Sequence, residues 1–331
     1  MADVLCSGSF MIDLIAPDLP RLGEPGDLVY APRGIQLHVG GHAANVAIDL
    51  AQLGQQRVAA AGCIGNDVLG GFIESRLREG GVDVLAERAR GSHTAKNVAL
   101  VVEGEDRRFY SELAANTMLS PEHVIGALEE TRPSVLYQGT VGGLRLLDGR
   151  LDEVLERARA LGCLNVVDVV MPQDGSWGKL RESLHLVDVL HCNAAEAAEL
   201  TSRGDPLKAL DELADGGVGL GVITAGSEGL VASLGGMRLR LPAFEVRAFD
   251  ATGAGDAFTA GVIDALLKAG VGFGGLGALG EEGFTGVLLC GAAAGACCVT
   301  EAGATSAVTR GNVDRLIGEQ GGRVLAGLER L

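Results

Sequence analysis

The chain has 331 residues, of which 47% are hydrophobic, 4% aromatic and 51 are glycine, a composition that supplies ample core and excludes a disordered or fibrous protein. Its formal net charge of -16 at pH 7 opposes binding to phosphate backbones, so nucleic acid is excluded as an expected partner. The seven cysteines show no Cys-x-x-Cys spacing, which is typical of reduced thiols and not of a metal site or disulfide framework.

Short apolar runs alternate with helical patterns along most of the chain. The runs are rich in Val, Leu and Ile without strict alternation, which is typical of strands buried on both faces. They cover residues 3–8, 57–63, 134–138, 164–169, 187–192 and 218–224, and the helical patterns cover 43–53, 68–79, 121–130, 151–161 and 206–214. This order predicts an α/β fold with a mostly parallel central sheet and helices on both faces.

Two stretches break this rhythm. Residues 28–39 contain the period-two pattern Ile35-Gln36-Leu37-His38-Val39, as expected for a strand with one exposed face. Residues 95–113 have the pattern of a hairpin with its turn at 103–106. We predict a small antiparallel β sheet, inserted at about 13–40 and 93–115 into a single domain over 1–331. Pattern alone leaves open whether it is a lid over a cleft or an ordinary edge sheet.

No targeting or membrane segment is expected. The first residues lack a basic segment and reach Asp13 early, which is unlike a signal peptide. The uncharged stretch 283–300 is mostly Gly, Ala and Cys, and its poor transfer energy predicts a buried helix and not a membrane span. The predicted location is cytoplasmic.

The segment Asp250-Ala-Thr-Gly-Ala-Gly-Asp-Ala-Phe258 leads directly into a helical pattern. Gly253 and Gly255 permit a sharp turn, which leaves the N–H groups of Ala254, Gly255 and Asp256 unpaired at the helix start. Such a start favours anions, and a carboxylate at Asp256 beside it could accept a proton from an attacking hydroxyl. From these residues alone, a phosphoryl-transfer site and a plain Gly-rich turn are equally good interpretations.

This segment resembles the C-terminal signature of the ribokinase-like (PfkB) kinases, with Ala251 replacing the usual Thr. Further motifs follow in the family's order along nearly the whole chain. Gly-Gly-His-Ala-Ala-Asn-Val-Ala at 40–47 resembles the N-terminal signature, and 62–70 resembles the Gly-x-x-Gly-x-Asp-x-x-Gly that follows it. Asn193 and Glu196 fit an Asn-x-x-Glu motif, and 224–229 fits Thr-x-Gly-x-x-Gly. Several motifs in one order favour the kinase interpretation.

The resemblance implies a role for each matching residue. It implies that Asp256 is the general base, and that the anion hole is the backbone of Gly253, Ala254 and Gly255. MgATP is implied as the phosphoryl donor, with Glu196 placing Mg²⁺ through water. The implied nucleotide contacts are Asn193, Thr224, Gly226 and Gly229. The implied contacts to acceptor hydroxyls are Asp13, Gly41 and Asn45, and His42 beside them is variable in the family.

Other features of the resemblance concern selectivity, cations and assembly. The predicted last helix, 287–299, has Gly291-Ala292-Ala293 where relatives often carry an Asn near adenine. Asp250 and the loop 302–306 match a region that binds a monovalent cation in some relatives, so a K⁺ site at Asp250 is an expectation. Lid sheets of relatives often pair between subunits, so we expect a homodimer.

The expected activity is transfer of the γ-phosphoryl group of MgATP to a hydroxyl of a sugar or polyol. A nucleoside acceptor is the alternative within the same family. A catalytically silent sugar- or nucleotide-sensing protein on the same fold is the alternative from another class, because a fold alone does not define an activity.

Overall fold

The computed structural model describes residues 3–55, 57–103 and 108–331. The strands of these ranges are β1 (Val4–Ser7), β2 (Met11–Leu19), β3 (Gln36–Gly40), β4 (Val58–Ile64), β5 (Asp83–Arg88), β6 (Ala95–Val102), β7 (Arg108–Glu112), β8 (Val135–Val141), β9 (Leu164–Val169), β10 (Val189–Asn193), β11 (Leu220–Thr224), β12 (Leu230–Leu234), β13 (Met237–Leu241) and β14 (Glu329–Arg330). The helices are α1 (His42–Gln52), α2 (Val68–Glu79), α3 (Pro121–Thr131), α4 (Arg145–Asp148), α5 (Leu151–Ala160), α6 (Ala194–Thr201), α7 (Pro206–Asp215), α8 (Ala254–Lys268), α9 (Gly280–Cys298) and α10 (Arg310–Ala326).

The central sheet has the strand order β14-β13-β12-β11-β10-β9-β8-β1-β4-β5. From β11 to β5 all neighbouring strands pair in parallel, and β12, β13 and β14 are added antiparallel at one edge. Val4 of β1 belongs to the apolar cluster on one face of the sheet, and Leu5 belongs to the cluster on the other. Burial on both faces explains why the parallel strands are continuous apolar runs, and all six predicted strands are confirmed.

A second sheet, the lid sheet, has the order β3-β2-β6-β7. Its outer pairs are antiparallel, whereas the central pair β2 and β6 is parallel. The predicted hairpin of β6 and β7 is confirmed, and residues 104–106 of its predicted turn lie outside the described residues. One cross-strand row, running from Asp13 to its neighbours, is polar: His38, Asp13, Asn97 and Ser111. The next row, on the opposite face, is apolar: Leu37, Leu14, Val98 and Tyr110.

Several elements differ from the sequence prediction. The period-two pattern at 35–39 corresponds to β3, and the residues before it in the stretch 28–39 have no regular structure up to Ile35. The stretch 287–299 belongs to α9, which begins seven residues earlier, at Gly280. It is not the last helix, because α10 follows it. No prediction was made for β2, β5, β12 and β13. The single-domain organisation over 1–331 remains a prediction.

The uncharged stretch 283–300 forms most of α9, which packs against α8. On α9, three residues are fully buried in the same apolar cluster as Val4 of β1: Phe284, Leu288 and Ala293. Within the described ranges, no helix combines the length and apolar character needed for crossing a membrane. The expected buried helix is therefore what this part of the chain forms.

Candidate active site

Helix α8 begins in the conformation that an anion site requires. Its N-cap residue, Gly253, has a φ of 78° in the left-handed region, and no side chain caps the first turn. A Cβ atom on Gly253 would overlap Ala304, so only glycine fits this position without displacing the neighbouring loop. The Ala254 N–H makes only a long contact of 3.4 Å with the Ala251 carbonyl oxygen, so the N–H groups of the first turn are available to an anion, supported by the dipole of a 15-residue helix.

Asp256 lies in this first turn and is 7% exposed. Its carboxylate accepts a hydrogen bond of 2.8 Å from the Asn45 side-chain amide. The Nδ1 atom of His42 lies 3.5 Å from the other carboxylate oxygen, an ion-pair distance too long for a good hydrogen bond. Burial raises the pKa of Asp256, and the nearby His42 and the bond from Asn45 offset part of that increase. A carboxylate with a raised pKa is a better proton acceptor.

The residues predicted to bind the acceptor lie around Asp256. Asp13 of β2 is 3% exposed and accepts a hydrogen bond of 2.8 Å from Asn97 of β6. Burial raises its pKa to about 6, against the lowering effect of Asn97, and the charge of Asp256 contributes to the increase. Gly41 caps α1 with a φ of 92°, and a Cβ atom there would lie 2.5 Å from the Ser9 carbonyl oxygen. The structure thus brings Asn45 into contact with Asp256 and places Asp13 beside Gly40, the neighbour of Gly41.

Three further polar groups beside Asp256 were not predicted as site residues. His42, which the sequence analysis only noted, has a ligating atom within 4.8 Å of those of Asp168 and Asp256. Asp168 of β9 in turn contacts His191 of β10, with 3.1 Å between Oδ2 and Nδ1. The sequence does contain a signal for Asp168, because a charged residue there interrupts the apolar run Val-Val-Asp-Val-Val. In the structure Asp168 is 4% exposed, and buried charged residues of this kind usually have a specific partner.

A cavity of about 310 Å³ opens at the start of α8. Among the predicted residues, the nucleotide contacts Thr224, Gly226 and Gly229 line it, as do the anion-hole residues Ala254 and Gly255. Apart from Ser227, its remaining lining residues are apolar and include Phe244, Phe258, Ala292, Gly295 and Ala296. A mainly apolar cavity lined by the first residues of α8 matches a molecule with an apolar part and an anionic tail. Asn193 is not part of the lining.

Asn193 and Glu196 form a capping box at the start of α6. The Asn193 side-chain oxygen accepts the Glu196 N–H at 2.9 Å, and a Glu196 carboxylate oxygen accepts the Asn193 N–H at 2.8 Å. Asn193 pairs directly with Thr224 in the central sheet, which places both residues at the carboxyl ends of adjacent strands, where ligands of such sheets bind. Burial raises the pKa of Glu196, and the bond from Asn193 offsets part of this effect.

The donor set at this position is compatible with magnesium. Glu196 uses Oε2 in the capping box, so Oε1 is the oxygen that could accept a hydrogen bond from a magnesium-bound water. Mg²⁺ prefers oxygen ligands and keeps several waters, so an indirect contact of this kind suits it. When bound, the ion would neutralise phosphate charge beside the α8 start.

Asp250 has a structural role in the loop before α8. One carboxylate oxygen accepts bonds from the N–H and hydroxyl of Thr252, at 2.9 and 2.6 Å, and the other accepts the Gly303 N–H at 3.2 Å. This carboxylate therefore joins the loop 302–306 to the segment that precedes the anion hole. A cation in this region would meet backbone carbonyl oxygens such as those of Thr252 and Ala304, which both face the Cys298 thiol.

Comparison with known proteins gives the class of this site. The family model of pfkB family carbohydrate kinases matches residues 1–310. The chain is 27% identical over 296 residues to ribokinase from Haemophilus influenzae, covering 88% of this chain and 90% of the relative. It is 28% identical over 243 residues to aminoimidazole riboside kinase from Salmonella typhimurium, covering 70% and 74%. A solved structure of a Xylella fastidiosa fructokinase with bound ATP has 25% identity, a TM-score of 0.80 and coverage of 97% and 100%.

The fold and the family model together define a carbohydrate kinase. The chain belongs to the pfkB family, because the family model covers nearly its whole length. The predicted resemblance, the α/β fold class with its lid sheet and the predicted enzyme class of ATP-dependent carbohydrate kinase are confirmed.

Proposed function

We propose that the protein transfers the γ-phosphoryl group of MgATP to a hydroxyl of a sugar or polyol, with Asp256 as the general base. The observation that carries this proposal is the position of Asp256. Its buried carboxylate accepts a hydrogen bond from Asn45, and it belongs to the first turn of α8, where Ala254 and Gly255 line the cavity. A base at that point can deprotonate a hydroxyl while the first-turn N–H groups stabilise charge on the phosphoryl group.

On the nucleotide side, the cavity would hold the base and the α8 start would hold the phosphates. The small residues Ala292 and Gly295 of α9 leave a smooth apolar wall, so stacking and shape would contribute more to binding of the base than hydrogen bonding would. Asn193 would contact phosphates from the edge of β10, and Glu196 would hold Mg²⁺ through water. The backbone of Gly253, Ala254 and Gly255 would form the anion hole.

On the acceptor side, the proposed contacts are two carboxylates and an amide. Asp13 and Asp256 can each accept a hydrogen bond from a hydroxyl, and Asn45 already orients Asp256. Carboxylates that accept from neighbouring hydroxyls are a common way to bind a polyol. The riboside kinase relative keeps a nucleoside as the alternative acceptor.

Two further parts of the proposal concern cations and assembly. We propose K⁺ stimulation through carbonyl oxygens near Asp250, tested by comparing rates in potassium and tetramethylammonium salts; equal rates would exclude it.

We also propose a homodimer in which a second copy covers the apolar row of the lid sheet. Leu37 is 41% and Tyr110 62% exposed in that row, and light scattering that finds a monomer at working concentration would exclude this assembly.

The experiment that tests the activity is a panel of acceptors assayed with purified protein and MgATP. The panel contains pentoses, hexoses, keto-deoxy acids, polyols and nucleosides, with ADP release as the readout and mass spectrometry of the product as confirmation. We expect one sugar or polyol to be phosphorylated and its turnover to be lost in Asp256→Asn. ATP and acceptor binding without any product would instead support the sensing protein.

A further inference from the structure

A buried polar cluster lies under the start of α8, on the nucleotide side of Asp256. His191 of β10 is 5% exposed. Its ring packs 4.9 Å from the Phe258 ring, and a Cβ atom on Gly255 would lie 3.3 Å from its Cε1 atom. His191 therefore touches the same helical turn that supplies the proposed anion hole, without reaching the cavity itself.

The hydrogen-bond partners of His191 determine which of its nitrogens carries a hydrogen. Nδ1 lies 3.1 Å from Asp168 Oδ2 and 3.1 Å from the Thr259 hydroxyl. Because Thr259 donates its own hydrogen to Asp168 at 3.0 Å, both neighbours of Nδ1 act as acceptors, and Nδ1 must be the donor. Burial lowers the pKa of His191, but the charge of Asp168, its hydrogen bond to the ring and the charges of Glu196 and Asp256 together outweigh burial and raise the pKa. The ion pair with Asp168, 3.1 Å from Nδ1, favours the imidazolium, in which Nε2 carries a hydrogen as well.

One residue, Thr224, lies between the Nε2 atom of His191 and the nucleotide cavity. Nε2 lies 3.1 Å from the Thr224 hydroxyl oxygen, and Thr224 lines the cavity. When Nε2 donates to this oxygen, the hydroxyl hydrogen of Thr224 must find another acceptor. The Cys192 carbonyl oxygen is 3.5 Å away, at the long limit of a hydrogen bond. An anionic oxygen in the cavity would be a better partner.

We propose that His191 is a positioning residue for the nucleotide, which holds the Thr224 hydroxyl as a hydrogen-bond donor toward a phosphate group. This inference rests on the proposed function, because it requires a nucleotide in the cavity. The charged groups that act on His191 are Asp168 from β9, Glu196 from α6 and Asp256 from α8. All three groups are acidic, and this favours the charged ring.

The test uses two substitutions that retain different hydrogen bonds of the imidazole. His191→Asn retains an amide near Asp168 but does not reach Thr224, whereas the longer His191→Gln can still donate to the Thr224 hydroxyl. We measure the Kd of MgADP by calorimetry for both variants of the full chain, for Thr224→Val, and for the double variant His191→Asn/Thr224→Val. Melting temperatures and the KM of the acceptor serve as checks on the fold.

We expect His191→Asn to weaken MgADP binding about tenfold, the size expected for loss of one charge-assisted hydrogen bond, and His191→Gln to bind nearly as the unmodified protein does. We expect the double variant to bind as Thr224→Val alone, because His191 acts through that hydroxyl. Additive effects, equal losses in the Asn and Gln variants, or unchanged binding in His191→Asn would overturn the inference. If the unmodified protein itself fails to bind MgADP, the proposed function is refuted and this inference with it.

Discussion

Replacing Asp256 with asparagine separates its chemical role from its structural one. The asparagine side chain is nearly the same size as that of Asp256. Its amide oxygen can still accept the hydrogen bond that the Asp256 carboxylate accepts from Asn45 at 2.8 Å, but it cannot take a proton. Loss of a general base costs roughly 10²–10⁴-fold in rate, which corresponds to about 3–5 kcal/mol of barrier. We therefore expect kcat to fall by that factor in a coupled ADP-release assay at saturating MgATP and acceptor.

The stability of Asp256→Asn should change in the opposite direction. Burial raises the pKa of Asp256, so its ionised form is less favourable in the folded protein than in the unfolded chain. The sign follows from linkage: a carboxyl group with a raised pKa costs stability at every pH above that pKa, and a neutral amide removes the cost. We expect the melting temperature of the variant to equal or exceed that of the unmodified protein at pH 7.

Asp264, two turns further along α8, supplies a matched control. Its side chain is 2% exposed and pairs with Arg310 at 2.5 Å and with Lys268 at 3.2 Å. Asp264→Asn removes one partner of these pairs, which should cost about 1–3 kcal/mol and lower the melting temperature by several degrees, because Arg310 is still 30% exposed. Its kcat should stay near normal. The reasoning about Asp256 fails if Asp256→Asn keeps more than a tenth of the normal rate, or if it is less stable than Asp264→Asn.

Three other predictions concern the same region. Because only ionised Asp256 can act as base, kcat/KM should fall as the pH decreases, and this fall should begin above the ordinary pKa range of an aspartate. His42→Gln should move the acidic limb of the pH–rate profile to higher pH, since the His42 charge lowers the Asp256 pKa. An unmoved limb would contradict the pairing of His42 with Asp256. Gly253→Ala should reduce kcat/KM at least about tenfold and lower the melting temperature, because a left-handed φ costs about 1–2 kcal/mol and the methyl group overlaps Ala304; normal kinetics would count against the anion hole. Ala296→Leu should raise the KM for ATP about tenfold by filling the cavity and leave the acceptor KM unchanged, and the reverse pattern would place the nucleotide elsewhere.

The buried strands were predictable because their environment is simple. Residues 164–169 match β9 in full, since every residue of that strand is buried and the run is apolar apart from Asn165 and Asp168. β5 was missed because it has an exposed edge and charged residues at both ends, so its burial pattern gives no apolar run. α10 was missed for a related reason: glycines and charged residues weaken its helical signal, and its position depends on packing against α9.

The site was predictable where local chain geometry defines it. The glycines and Asp256 belong to one segment whose conformation follows from a helix start, so sequence reasoning placed them together. His191, Asp168 and Thr259 are separated by 23 to 91 residues, and their contact depends on β9 and β10 being neighbours in the sheet. Strand order is a tertiary property, and no local pattern around these three residues encodes it.

The burial of the Asp13 carboxylate has a thermodynamic consequence for binding of the acceptor. Asp13 has a pKa of about 6, against about 4 for an ordinary aspartate, so its burial destabilises the protein increasingly as pH rises through this interval and by a constant amount above it. A polyol that donates hydrogen bonds to Asp13 offsets this cost, and at a concentration of 100 Kd any ligand adds about 2.7 kcal/mol of stability. The acceptor should therefore reveal itself without turnover, as the sugar that raises the melting temperature in the absence of ATP, and by more at pH 7.5 than at pH 5.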